Sequence, residues 1–286
     1  MIRALFLTSR PLSWVNTAYP FAAAYIVTTG RVDAALVVGT FFFLIPYNLA
    51  MYGINDVFDY ESDLRNPRKG GVEGALLEPR WHRLTLWLSG ILSLPFVVAL
   101  VLLGSWPSWI VLAVSLFAVV AYSAKGLRFK ERPVLDSITS STHFVSPAVY
   151  GLALAGAEFA PGVLAVLGAY FLWGCASHAF GAVQDVLADR EAGIGSIATI
   201  FGGRATVRIA AVLYVLAGVL LLFAPWPAPL AAILALPYLL NVLPWWSVRD
   251  EDVESANRGW RRFLWLNFVA GFGVTMLLIA GALGLL

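Results

Sequence analysis

The sequence predicts an all-α bundle that crosses a membrane several times, and three observations lead there. Of its 286 residues, 60% are hydrophobic and 13% charged, and the mean hydropathy is +0.79. Soluble domains carry about 25% charged and 45–50% apolar residues. Nine apolar runs approach the ~20 residues that a helix needs to cross a bilayer. The charges between them are distributed with a strict alternation. A single cysteine, Cys175, excludes an internal disulfide and a paired-cysteine metal site.

Taken in order, residues 1–10 have no small-residue cleavage site before Pro11 and read as a short tail, not a signal peptide. The predicted spans are 12–29, 35–54, 84–104, 108–124, 134–155, 162–183, 206–224, 228–246 and 263–284. Pro20, Pro46, Pro95, Pro147 and Pro237 fall inside them, as helices packed in bundles allow. The links 30–34, 104–107, 156–161 and 225–227 are weakly charged, whereas 55–83, 125–133, 184–205 and 247–262 are strongly charged. Of the 19 Lys and Arg, all but Arg31 lie in the N-terminal tail or in the long links and their flanks. The positive-inside bias therefore places the long links in the cytoplasm, and the odd span count places the C-terminus outside. Asn55-Asp56 ends the second span and Gln184-Asp185 the sixth, and basic clusters follow the fourth and eighth. This repeat suggests two four-helix halves plus a ninth helix, a design that puts sites at the repeat interface. Residues 1–286 read as one domain.

The chemistry concentrates at two acidic helix ends. Asn55, Asp56, Asp59 and Asp63 share one side of a continued helix, and Asp185 and Asp189 are four apart on another. The C-terminal end of a helix already bears partial negative charge, so carboxylates there are unfavourable unless a cation joins them. Hard oxygen ligands suit Mg2+, which usually arrives with phosphate. Arg128, Lys130 and Arg132 form a basic link able to hold phosphate oxygens. Stripes of polar residues run into the spans: Asn48, Tyr52 and Asn55 on the second, Asp136, Ser140 and His143 on the fifth, and Gly174, His178, Gly181 and Asp185 on the sixth. Polar and ionisable groups in a bilayer are functional candidates. Tyr52, Phe58, Tyr122, Phe144, Phe171 and Trp173 add ring faces that stabilise cations. Solvated helix ends, interhelical hydrogen bonds and an interfacial aromatic belt are the plainer alternatives.

These motifs resemble those of the UbiA superfamily of intramembrane prenyltransferases. The pattern Asn-Asp-x-x-Asp-x-x-x-Asp is met by Asn55, Asp56, Asp59 and Asp63, and Asp-x-x-x-Asp by Asp185 and Asp189. The link Tyr-Ser…Arg-x-Lys-x-Arg-Pro is met by Tyr122, Ser123, Arg128, Lys130 and Arg132. Within the superfamily, the stretches from Ser9 to Pro20, Ile45 to Asn55, Asn66 to Gly74 and Ser140 to Phe144 are most similar to the lycopene elongases of bacterial C50 carotenoid synthesis.

The resemblance implies a nine-helix bundle, a Mg2+ cofactor, dimethylallyl diphosphate as donor and lycopene as acceptor. Asp56, Asp59, Asp63, Asp185 and Asp189 are then the expected metal ligands, with Asn55 beside them. Arg128, Lys130, Arg132, Tyr122, Tyr52, Asn48, Ser140, His143 and His178 are the expected substrate contacts. The loop 64–82, with Gly70-Gly71, is a candidate lid. An aromatic, quinone-precursor, chlorophyllide or glycerol-phosphate-lipid acceptor, and a cation or metabolite transporter, remain open alternatives at this point.

Overall fold

The computed structural model describes residues 2–64 and 76–286, with Ile2 and Ser62 described by backbone alone. Most of the candidate lid lies outside the described residues, as do Arg65, Arg68, Lys69, Gly70 and Gly71. Among the described residues every regular element is helical. The helices are α1 (Ile2–Thr8), α2 (Val15–Thr29), α3 (Ala34–Leu44), α4 (Pro46–Phe58), α5 (Tyr60–Asp63), α6 (Pro79–Leu103), α7 (Trp106–Ser123), α8 (Leu135–Leu154), α9 (Pro161–Val183), α10 (Val186–Ala192), α11 (Ile197–Leu221), α12 (Ala235–Val242) and α13 (Asn257–Ala282). The chain is an integral multi-pass membrane bundle.

Among the described residues, seven stretches are long and apolar enough to cross a membrane: Ala34–Phe58, Pro79–Leu103, Trp106–Ser123, Pro161–Val183, Ile197–Leu221, Ala228–Trp245 and Asp250–Ala282. The other two predicted spans are helical but fall short for separate reasons. α2 has 15 residues and is stopped by Gly30 in the left-handed conformation at φ 63. α8 has 20 residues, yet Asp136, Ser137, Thr139, Ser140, Ser141, Thr142 and His143 dilute its first half. Several helices also start earlier than hydropathy predicts. α11 begins at Ile197 rather than 206, where Ser196 accepts the Thr199 N–H at 3.2 Å and Thr199 returns a bond to the Ser196 N–H. Such reciprocal capping defines a helix start that apolar content does not reveal.

The helices form two compact units, residues 1–129 with 142–158, and residues 130–141 with 159–286. The predicted boundary after the fourth span is therefore displaced into α8, whose first residues belong to the second unit and the remainder to the first. In the first unit Phe21, Phe42, Phe43, Tyr47, Leu100 and Tyr150 are almost fully buried. Their rings meet at centroid separations of 4.9–5.9 Å, in tilted, stacked and edge-on pairs. Gly39 lets the Phe21 ring reach the α3 backbone. In the second unit Ala176, Ala179, Ala198, Ala210 and Ala211 bring helices close together. Small residues do this in membranes, where lipid is as apolar as leucine and close packing must drive association. Asp136, fully buried, accepts the Ile197 N–H at 2.8 Å and so caps α11.

The predicted second span is two helices. Ile45 breaks it at φ −116 and ψ −63, and Pro46, which has no N–H, opens α4. Asn48 then has a structural task. Its Nδ2 donates to the carbonyls of Phe43 at 2.8 Å and Leu44 at 3.1 Å, and to Thr17 Oγ1 at 2.7 Å. This corrects the expectation that its amide donors face substrate. Replacing Asn48 by Leu is expected to cost about 1–3 kcal/mol through the abandoned carbonyls. Thermal unfolding in detergent should show a lower Tm, while the KM values of the folded fraction stay unchanged. A shifted KM at unchanged Tm would restore Asn48 to the substrate contacts.

Candidate active site

The first acidic motif lies where α4 ends. Asp56, Asp59 and Asp63 are 1%, 6% and 7% exposed, so three carboxylates are buried beside the carbonyl end of a helix. Among the described residues, Arg10 and Arg128 oppose this charge. Arg10 Nη2 donates to Asp56 Oδ1 at 3.1 Å, and its guanidinium lies 4.2 Å from the centre of the Tyr52 ring. Arg128 Nη2 stands 3.7 Å from Asp59 Oδ1, and Nη1 donates to the Phe58 carbonyl at 3.4 Å. Both arginines adopt left-handed backbone, at φ 50 and φ 40. Positive φ costs a residue with a side chain about 1–3 kcal/mol and collects at functional sites. Asn55 Nδ2 donates to Ser123 Oγ at 3.0 Å, tying the motif to the end of α7.

Arg10 was not among the expected site residues. Sequence reasoning placed it in the positive-inside tail, and its 46-residue separation from Asp56 hides the pairing. One face of the Tyr52 ring packs against Arg10.

The second motif repeats the backbone of the first. α9 stops at Gln184, and Asp185 turns at φ −98 and ψ −4 before α10. Asp59 turns at φ −100 and ψ −2 between α4 and α5. The Asp63 N–H donates to the Asp59 carbonyl and the Asp189 N–H to the Asp185 carbonyl, both at 2.8 Å. The matching pairs are therefore Asp59/Asp63 and Asp185/Asp189. This shifts the repeat three residues from the Asn55-Asp56 and Gln184-Asp185 alignment, because the shared feature is a broken helix end rather than an amide–acid dipeptide. Asp185 and Asp189 are partly buried.

The remaining expected contacts fall into two groups. In the first unit, the Tyr122 ring stands edge-on to His143 at 5.1 Å, and the His143 carbonyl accepts Tyr47 Oη at 3.4 Å. In the second, Ser137 Oγ and His178 Nδ1 are 3.1 Å apart, and Ser140 is half-buried. Lys130 is half-buried and Arg132 exposed. Gly174 and Gly181 of α9 admit neighbouring side chains. A Cβ at Gly174 would collide with Ser141, and one at Gly181 would lie 2.9 Å from Trp260. Trp173 stacks on Phe263 at 5.9 Å within the apolar core.

The UbiA prenyltransferase family model matches residues 17–269. This chain belongs to that family. Among curated relatives, it is 60% identical over 280 residues to the C(50) beta-cyclic carotenoids biosynthesis protein LbtBC of Dietzia sp., covering 98% of this chain and 65% of that protein. The lycopene elongase/hydratase of Corynebacterium glutamicum is 53% identical over 279 residues, 98% of this chain and 97% of that one. The fold matches a UbiA homolog from Archaeoglobus fulgidus solved with GPP and Mg2+ (TM-score 0.71) and with DMAPP and Mg2+ (TM-score 0.70). Both matches have 20% identity, cover 93% of this chain and cover 99% and 98% of those chains.

The donor set of this UbiA-family chain fits such a metal. Among the described residues no three His, Cys, Asp or Glu are grouped closely enough to cage an ion by themselves. Mg2+ seldom needs that, since it keeps waters and binds through one or two carboxylates plus substrate phosphate. The buried, acceptor-only oxygens of Asp56, Asp59 and Asp63 are donors of that kind.

The Arg10–Asp56 pair carries a prediction. Removing one partner of a buried ion pair costs about 3–5 kcal/mol. Arg10→Ala should therefore lower Tm strongly, and adding Asp56→Asn to it should recover much of the loss. Additive losses in this double-mutant cycle, followed by thermal unfolding, would show the two side chains to be uncoupled.

Proposed function

We propose that this chain is a lycopene elongase of C50 carotenoid biosynthesis, transferring dimethylallyl groups from dimethylallyl diphosphate to the ends of lycopene. The observation that carries the acceptor is 53% identity, along nearly the whole of both chains, with a lycopene elongase/hydratase. The chain spans 65% of the length of the Dietzia relative. Residues 1–286 act as one catalytic domain. Nine helices cross the bilayer, α2 and α8 joining the seven apolar stretches. The charged links face the cytoplasm and the C-terminus faces outward, as the distribution of Lys and Arg supports.

In this reading Asp56, Asp59, Asp63, Asp185 and Asp189 hold the metal-bound diphosphate. When bound, Mg2+ supplies positive charge to the leaving group. Arg128 and Lys130 bind phosphate oxygens, with Arg132 at the rim, and Asn55 orients the carboxylates from its bond to Ser123. The C1–O bond of the donor breaks and its electron pair leaves with diphosphate. The terminal double bond of the acceptor attacks the allylic cation, forming a C–C bond and a tertiary cation. That cation loses a proton or takes up water. The apolar bundle excludes bulk water from the first cation, and Tyr122, Ser140, His143 and His178 contact the acceptor. These assignments rest on residue chemistry and on burial of the first motif. Electrostatic stabilisation of developing charge is the dominant contribution, worth about 10²–10³ in rate per donor removed.

Expression in a lycopene-producing host, with pigment masses recorded, tests the reading. Products should carry one and two added C5 units; absence of mass gain with active, inserted protein would direct the search to other acceptors. Asp56→Ala or Asp185→Ala should reduce turnover at least about 10²-fold in membranes where the protein still inserts. Arg128→Ala should raise the donor KM and leave the acceptor KM unchanged, as steady-state assays with each substrate varied would show.

A further inference from the structure

α10 is too short to hold its own shape. It has seven residues, and isolated helices below about 12–15 residues are marginal in water. It nonetheless carries Asp189 and follows directly on Asp185. Val186 and Leu187 set one side of it into the apolar core, and hydrogen bonds from α11, from the 3-10 turn Asp250–Ala256 and from the start of α13 hold its two ends.

At the far end of α10, Arg190 Nη1 donates to Asp250 Oδ2 at 2.6 Å, and Nε and Nη2 donate to the Thr199 carbonyl at 3.2 and 3.0 Å. Asp250 Oδ1 accepts the Gly203 N–H at 2.8 Å. These partners exist because α11 is broken. Gly202 stands at φ 77 and ψ 161 inside it, a conformation open in practice only to glycine. The break leaves backbone groups of Thr199 and Gly203 for Arg190 and Asp250 to satisfy. At the near end, Asn257 Nδ2 donates to Gln184 Oε1 at 2.6 Å, and Gln184 Nε2 donates to the Gly181 carbonyl at 3.0 Å. The segment that supplies both contacts is itself anchored, since Val253 and Ala256 are fully buried.

We infer that the segment from Asp250 to Asn257 is a clasp that sets the position of Asp185 and Asp189 for metal and diphosphate, with Arg190, Asp250, Gln184 and Asn257 as positioning residues. The inference rests on the assignment of Asp185 and Asp189 to the metal–diphosphate. It assigns a task to Arg190 and Asp250 that the charge bias alone does not. The Arg190 and Asp250 side chains are 41% and 38% exposed, and ion pairs so exposed contribute little to global stability. The clasp therefore acts on orientation. Groups that orient metal ligands typically change metal affinity or activity 10–100-fold when removed.

The test compares full-length wild type with Arg190→Ala, Asp250→Ala, the double variant and Asp189→Ala, all in detergent or proteoliposomes. The readouts are the Mg2+ concentration for half-maximal turnover, the KM for each substrate and the Tm. Each single clasp variant should raise the Mg2+ half-saturation at least about tenfold, with acceptor KM near wild type. Tm should stay near wild type for Arg190→Ala and fall modestly for Asp250→Ala, which abandons the Gly203 N–H, and the double variant should be no worse in half-saturation than the weaker single. Asp250→Asn, which keeps an acceptor for the Gly203 N–H, should fall between, and with Arg190→Lys it carries the test if the alanine variants fail to insert. Unchanged Mg2+ half-saturation in the folded clasp variants, or multiplicative effects in the double, would overturn the clasp. If Asp189→Ala is inactive while the clasp variants behave as wild type, the clasp alone falls. If Asp189→Ala retains full turnover and Mg2+ dependence, the role of the second motif falls with it.

Discussion

Buried negative charge at the carbonyl end of a helix is the constraint on which the first unit depends. Asp56, Asp59 and Asp63 are withdrawn from water, where a carboxylate loses its hydration and also meets the negative end of the peptide dipoles. Guanidinium groups are the appropriate counterweight, being always charged and presenting several donors. Arg10 and Arg128 reach the motif from strained backbone, and Arg10 lies against Tyr52. The polypeptide accepts local strain at Arg10 and Arg128 to set guanidinium charge beside these acids.

Broken helices are the second theme. Ile45 interrupts what hydropathy draws as a continuous rod, and Asp59, Asp185 and Gly202 mark breaks in the helical chain beside the predicted spans. In lipid an abandoned N–H or C=O costs several kcal/mol, so interruptions persist only where protein groups satisfy them. Asn48 does so after Ile45, and Arg190 and Asp250 do so around Gly202. The interruptions at Asp59 and Asp185 instead place acidic side chains at a helix junction. The same backbone device is thus closed by neighbouring polar groups in some places and carries carboxylates in others, and the side chain at the break separates the two.

Much of this was legible from residue types and spacing. Composition and apolar run length identified a membrane bundle because both reflect transfer from water to lipid, which is additive along the chain. The acidic motifs were legible because their members lie within one or two turns of each other. Arg10, Asp250 and Asn257 were not, since their partners are 46, 60 and 73 residues away. Helix starts were also under-read: hydropathy tracks the lipid-facing core, whereas Ser196 and Thr199 define where α11 begins through hydrogen bonds. The bonds from Asn48 to the broken helix were not legible, because an amide inside a span looks alike in sequence whether it faces substrate or a broken helix.

By itself, then, the sequence determined that the chain lies in a membrane, that its links carry the cations, and that two clusters of carboxylates punctuate its apolar helices. All three follow from local chemistry, which needs no knowledge of what packs on what. Only the tertiary structure decided which arginines meet which acids, which glycines admit a neighbouring helix, and that α8 is shared between two compact units. Those outcomes depend on pairings between distant segments, and a pairing energy has no value until folding brings both partners within reach.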